Sequence, residues 1–104
     1  QSLAPARPDQ RSVNSEVFCY LEDLPEATWD ASIPWTWESY ADYLEVLQGE
    51  GLGLNVATLV GHTVLRLFVV GDEAWHRPST PDEIRALASA LTACLHAGAF
   101  GMST

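Results

Sequence analysis

Lysine is absent from these 104 residues, and five arginines face fourteen acids, for a formal charge of −9. A surface so poor in cations cannot neutralise a run of phosphates or grip an anionic membrane, so no nucleic-acid and no membrane partner is expected. Long apolar runs are missing as well. The longest, Val64 to Val70, is interrupted by Arg66 and falls far short of the roughly 20 residues a membrane helix needs. Only two cysteines occur, Cys19 and Cys94, with no Cys-x-x-Cys spacing. That pattern predicts two free thiols, as in a reduced cytoplasmic protein, rather than a disulfide scaffold. The chain opens on Gln1 with no basic n-region and no apolar h-region behind it, so the expectation is that a further segment precedes it.

What is present suffices for a packed core: 47% of the residues are hydrophobic and 10% aromatic, more than a disordered chain carries. Ser2 to Pro8, rich in proline and small residues, predicts a loop. Val13, Val17, Tyr20, Leu21 and Leu24 then recur at helical spacing until Pro25 and Pro34 break the run. From Thr36, a candidate N-cap, Trp37, Tyr40, Ala41, Leu44 and Leu47 share one helical face, and Gly49 and Gly51 stop it. Leu54 to Val60 is an apolar run between glycines and predicts a buried parallel strand ending at Gly61-His62. The sharpest local signal is Thr80-Pro81-Asp82-Glu83: a capping threonine, proline at the first helical position and a glutamate to close a capping box. The helix it starts carries Ile84, Leu87, Ala88, Leu91, Cys94 and Leu95 as its apolar stripe and stops at Gly98, and Phe100 to Thr104 reads as the next strand.

Two parallel strands joined by a crossover helix make a βαβ unit. Its connections are unequal, short from helix to strand but long from strand to helix over Gly61 to Ser79. In α/β barrels and doubly wound sheets the strand-to-helix side builds the active site. The fold class expected is therefore α/β, a partial TIM-type (β/α)8 barrel of about two parallel strands with flanking helices. Residues 1–34 read as another long strand-to-helix loop. Because a closed barrel needs eight strands and about 250 residues, residues 1–104 are expected to be an internal segment of one barrel domain, cut at both ends.

His62 follows the buried strand and a glycine, which suits either a pocket wall or a histidine that orients its loop. Ser103 and Thr104, at the end of the second strand, can line the same pocket. Arg66, inside an apolar run, must find a carboxylate or carbonyl partner and is suited to bracing the long loop. His76, in a loop, and His96, in a last helical turn, carry no functional signal, and Glu38, Asp42, Asp82 and Glu83 sit in early helical turns where acids complement the dipole. Trp29, Trp35, Trp37, Tyr40 and Tyr43 read as core rather than as a stacking platform. No His-x-His, His-Glu-x-x-His or phosphate-cradling glycine loop occurs, so neither catalytic nor metal-ligating residues are expected within the segment.

The string Gly53-Leu54-Asn55-Val56-Ala57-Thr58-Leu59-Val60-Gly61-His62-Thr63-Val64-Leu65-Arg66 resembles the N-acyl-D-amino-acid deacylases of the amidohydrolase superfamily, around Asn-Val-Ala, Leu-Val-Gly-His and Leu-Arg. Ile33-Pro34-Trp35-Thr36-Trp37-Glu38, Thr80-Pro81-Asp82-Glu83-Ile84 and Ala97-Gly98-Ala99-Phe100-Gly101-Met102-Ser103-Thr104 resemble its flanks, and Gln1-Ser2-Leu3-Ala4-Pro5 resembles the stretch directly after that family's Asn-Cys-Gly motif. The resemblance implies a zinc-dependent hydrolase that cleaves the amide bond of small N-acyl-D-amino acids. It implies zinc ligands outside the segment, since the family's cysteine, histidines and aspartate have no matching positions here and Cys19 and Cys94 do not replace them. His62, Arg66, Ser103 and Thr104 would then flank the substrate pocket of a cytoplasmic enzyme, with the segment alone inactive. The alternative is a small acidic α/β module that binds a protein partner through its Trp-rich helix.

Overall fold

The computed structural model describes residues 2–104. Gln1, where the loop expected over 1–34 and part of the family resemblance begin, lies outside them. A 3₁₀ turn at Pro8–Gln10, with proline at its start, leads into helix α1, Arg11–Glu22. Asp23 ends that helix in the left-handed region, φ 52°, with its N–H on the Cys19 carbonyl. The expected helix is there, but its orientation is not. Asn14, Ser15 and Phe18 are buried, whereas Tyr20 is 88% exposed and Leu21 and Leu24 are exposed too. The reason lies across the interface. Helix α2, Glu26–Ser32, which the sequence did not suggest because only seven residues fit before Ile33-Pro34, stacks Trp29 on Phe18 at 5.5 Å between centroids and so selects that face. The loop expected over 1–34 is thus largely helical.

Helix α3, Tyr40–Gly49, starts at Ser39 rather than at Thr36. Ser39 Oγ accepts from the Asp42 N–H while the Asp42 carboxylate accepts from the Ser39 N–H, so both ends of a capping box are made. These hydrogen bonds, the Ser39 side chain's first, hold the Asp42 carboxyl below its ordinary range. Trp37, 3% exposed, is placed before the helix by its indole N–H donating to the Leu3 carbonyl at 3.1 Å, and Trp35 precedes it at φ 49°, uncommon for a bulky residue. Trp35, Trp37, Tyr40 and Tyr43 pack ring against ring, as expected of a core cluster.

The two strands, β1 at Val60–Gly61 and β2 at Met102–Ser103, pair in parallel with Val60 opposite Met102 and Gly61 opposite Ser103. The βαβ reading therefore holds, but both strands are shorter than the expected Leu54 to Val60 and Phe100 to Thr104. Leu54 to Ala57 are exposed, with Leu54 at 82%, because among the described residues nothing packs over them. Isolated ladder bonds extend the pairing on one side, Phe100 N–H to the Thr58 carbonyl and Val60 N–H to the Gly101 carbonyl. Backbone groups of successive strand residues point to opposite edges, so the Leu59 carbonyl faces the other way, and there it accepts from the Ser2 N–H at 2.9 Å. The Ser2 segment thus lies along the edge of β1 opposite to β2, held by this one bond.

The connection expected as a long loop contains helix α4, His62–Val70, and a 3₁₀ turn, Gly71–Trp75. Val64, Leu65 and Leu67 are buried there, and their burial outweighs the weak helix propensity of Thr63, Val64, Val69 and Val70. Helix α5, Pro81–Ala97, has both halves of its Thr80–Glu83 capping box and ends at Gly98, φ 123°. A side chain at Gly98 would be strained and would press on Leu44, 3.3 Å from where its Cβ would sit. Of the stripe expected to be covered on α5, Cys94 is buried, Leu87 and Leu91 are half-buried, and Ile84, Ala88 and Leu95 are exposed. One core gathers Trp37, Tyr40, Tyr43, Val60, Leu65 and Cys94, and a second gathers Phe18, Trp29 and Val64. Neither cysteine is bonded to another.

Candidate functional site

The polar residues at the carboxyl ends of the strands are positioned by two abrupt transitions. Gly61 is both the last residue of β1 and the extended N-cap of α4, so His62 stands at the first helical position directly above the strand. Helical spacing sets Arg66 one turn beyond His62 on the same face. The two share a cleft of about 60 Å³ with Thr63, Leu67, Ala74 and Trp75. Trp75 reaches it from the 3₁₀ turn that folds back over α4.

Arg66 donates from one terminal nitrogen to the Arg77 carbonyl at 3.0 Å, and its Nε–H is buried without an acceptor. Arg77 in turn grips Glu83 with two hydrogen bonds and lies 3.5 Å from Glu73. The Arg77 guanidinium, with help from the Thr80 N–H, holds the Glu83 carboxyl down to about 2. A continuous set of contacts therefore runs from α4 through the loop to the start of α5.

Ser103 and Thr104 lie elsewhere. Ser103 is the register partner of Gly61, so its end of β2 stands beside the start of α4. Yet neither Ser103 nor Thr104 lines the cleft of His62 and Arg66, and the Ser103 hydroxyl is buried with no partner. Among the four candidates, then, the structure brings His62 and Arg66 together and leaves Ser103 and Thr104 on the neighbouring strand end. Thr63 and Trp75 are the polar and aromatic lining residues that sequence reasoning did not single out. Their signal was the spacing His62, Thr63, Arg66, visible once Val64 to Val70 is read as helix rather than as the continuation of a loop. His76 and His96 are exposed and do not line the cleft.

A larger cavity, about 700 Å³, opens between α2 and α3, with Leu3, Ile33, Trp37 and Tyr43 in its walls and Asp30 and Glu50 among its lining residues. Burial, the first cause, raises the Tyr43 hydroxyl above its ordinary range. No histidine, cysteine or arginine reaches this cavity, so it lacks the groups for acid–base or nucleophilic work near neutrality. Among the described residues, no group of three or more His, Cys, Asp or Glu side chains comes together to hold a metal ion. The residues present therefore do not fit a zinc site. No described helix is long and apolar enough to cross a membrane.

The architecture defines an α/β segment with parallel strands and polar residues at their carboxyl ends. No protein-family model and no solved structure matches the chain. It is similar to D-aminoacylase of Alcaligenes xylosoxydans xylosoxydans, 37% identical over 67 residues, which is 64% of this chain and 13% of that protein. It is likewise similar to N-acyl-D-aspartate deacylase of the same organism, 41% identical over 66 residues and again 64% of this chain and 13% of the relative. An uncharacterized protein of Mycobacterium tuberculosis is 42% identical over 72 residues, 65% of this chain and 12% of its own length. The resemblance to the N-acyl-D-amino-acid deacylases holds over that part of the chain. The matched stretch spans about an eighth of the length of these relatives.

Proposed function

We propose that the chain is a wall segment of a larger (β/α)8 barrel hydrolase that removes the acyl group from small N-acyl-D-amino acids in the cytoplasm. The observation that carries this is the 37% and 41% identity to two proteins named for D-amino-acid deacylation. The parallel pairing of β1 with β2 is compatible with it, and one hydrogen bond, Ser2 N–H to the Leu59 carbonyl, holds the Ser2 segment at the other edge of β1. The uncovered apolar surface supports the reading. Phe100 and Met102, on the same face of their strand, are 81% and 41% exposed, where the next helix of a barrel would lie. In this reading the zinc implied by the family resemblance is held by residues outside this segment, and the segment itself is inactive. Its contribution is to position His62, Arg66, Ser103 and Thr104 at the rim of the pocket.

The second reading, a protein-binding module using the Trp-rich helix, is the weaker one, because Trp37, Tyr40 and Tyr43 are in the core while Trp35 is half-buried. The test is to express the full gene and this chain separately and to follow release of free amino acid from N-acetyl-D- and N-acetyl-L-amino acids, with and without a chelator. The full protein is expected to hydrolyse the D series and to lose that activity on chelation, while the 104-residue chain does nothing. A full-length protein without hydrolysis, or an isolated chain as active as the whole, would overturn the reading.

A further inference from the structure

Fourteen acids compete for five arginines, and Arg7, Arg77 and Arg85 each stand within ion-pair distance of a carboxylate. Among the described residues Arg11 and Arg66 pair with none, and each is half-buried with its Nε–H buried without an acceptor; of the two, Arg66 shares a cleft with His62. A guanidinium taken partly out of water and left with an unmet donor is costly unless an anion completes it. What sets Arg66 apart from Arg11 is the cleft it shares with His62 and Thr63.

We infer that the cleft formed by Arg66, His62 and Thr63 is a subsite for the carboxylate group of a small molecule. The cleft's volume of about 60 Å³ is the share of about two water molecules, enough for one carboxylate group. The planar guanidinium fork matches a carboxylate in geometry as well as charge. Thr63 and His62, both able to hydrogen-bond an anion, line the same cleft, and Leu67, Ala74 and Trp75 complete its wall. The cleft also opens at the first turn of α4, whose N–H groups have no partner within the helix and favour an anion. The nearest groove, which shares Thr63 and Trp75, contains Glu16, and that carboxylate makes no ion pair with Arg66.

The carboxylate has two possible sources. One is the amino-acid end of an N-acyl amino acid, an assignment that rests on the deacylase reading. The other is a free carboxylic acid such as the released acyl product. The experiment is to titrate the chain with sodium acetate, N-acetyl-D-alanine and N-acetyl-L-alanine, each against sodium chloride at equal ionic strength. The readouts are the backbone amide resonances of His62 and Thr63, present in every variant, and in the wild type the Arg66 Nε–H resonance, assigned from its absence in Arg66→Lys. Saturable displacement by the carboxylates and none by chloride is expected, with binding about tenfold weaker in Arg66→Lys, the loss of one charge-assisted hydrogen bond. Because Arg66→Lys also removes the contact to Arg77, Thr63→Val is the second variant, expected to weaken binding without lowering the melting temperature.

Tighter binding of the D compound than of acetate would assign the site to substrate, and equal binding to free carboxylates. Non-saturable shifts, equal shifts with chloride, or unchanged affinity in both variants would overturn the subsite. Turnover by the full-length protein decides the deacylase reading separately. Binding at Arg66 without turnover removes the enzyme assignment and leaves the site, whereas turnover without binding at Arg66 removes the site and leaves the enzyme.

Discussion

The Arg77 guanidinium holds the Glu83 carboxylate through two hydrogen bonds of 2.7 and 2.8 Å, while that carboxylate also accepts from the Thr80 N–H at 2.7 Å. One side chain thus ties the loop after α4 to the first turn of α5. The Glu83 carboxyl is held to about 2 in the folded chain, chiefly by Arg77. A depressed folded value means stabilisation that is complete above the ordinary carboxylate range and lost as pH falls from there toward 2. Glu83→Gln is therefore expected to melt below wild type at pH 7 and to converge with it near pH 2. Thermal melts of both proteins across that range check this, and a gap that does not narrow on acidification would contradict it.

Asp23 closes α1 at φ 52°, where an L side chain is strained and glycine is not. Asp23→Gly is expected to stabilise by up to roughly 1 kcal/mol, offset in part by the freer unfolded chain. Asp23→Ala is expected to destabilise. Urea midpoints of the three proteins decide it, and a less stable glycine variant would mean that the aspartate side chain contributes more than its backbone costs.

Leu65 is buried and Phe100 is 81% exposed. Leu65→Ala is expected to cost about 2–5 kcal/mol in this chain, and Phe100→Ala less than about 0.5. In the full-length protein Phe100→Ala is expected to cost about 3–5 kcal/mol, because a neighbouring helix would cover the ring. Equal effects of Phe100→Ala in the two contexts would remove the barrel wall from consideration.

The Cys94 thiol is buried in the core, and burial raises it above its ordinary range. Cys19 is raised too, first by burial and then by Glu26 and Asp30. Both thiols are expected to react slowly with a disulfide reagent at pH 7, Cys19 first because it is partly exposed, and faster as pH rises. Glu26→Gln with Asp30→Asn is expected to quicken Cys19 and not Cys94, which a pair of labelling time courses would read directly.

How much of this was legible in advance differed by element. Thr80-Pro81-Asp82-Glu83 and Gly98 located both ends of α5, because capping involves residues three or four apart and a single conformational freedom at the stop. The parallel pairing of β1 and β2 was legible too, since two apolar strands joined by a crossover helix have few other arrangements. In the site, His62 and Arg66 were found as separate residues. Their meeting in one cleft was not foreseen, since it required Val64 to Val70 to be helical.

The sequence by itself determined where α5 begins and ends, that the chain carries a core, and that its charge is strongly negative, because composition and short-range hydrogen bonding need no distant partner. Tertiary structure alone decided which face of α1 is inside, that α3 starts at Ser39, that Leu54 to Ala57 lie open, and that the Arg66 Nε–H is buried without an acceptor among the described residues. Each of these depends on what packs against the segment. An apolar run has the same composition whether covered or bare, and only Trp29 against Phe18, or the absence of any chain over Leu54, makes the difference.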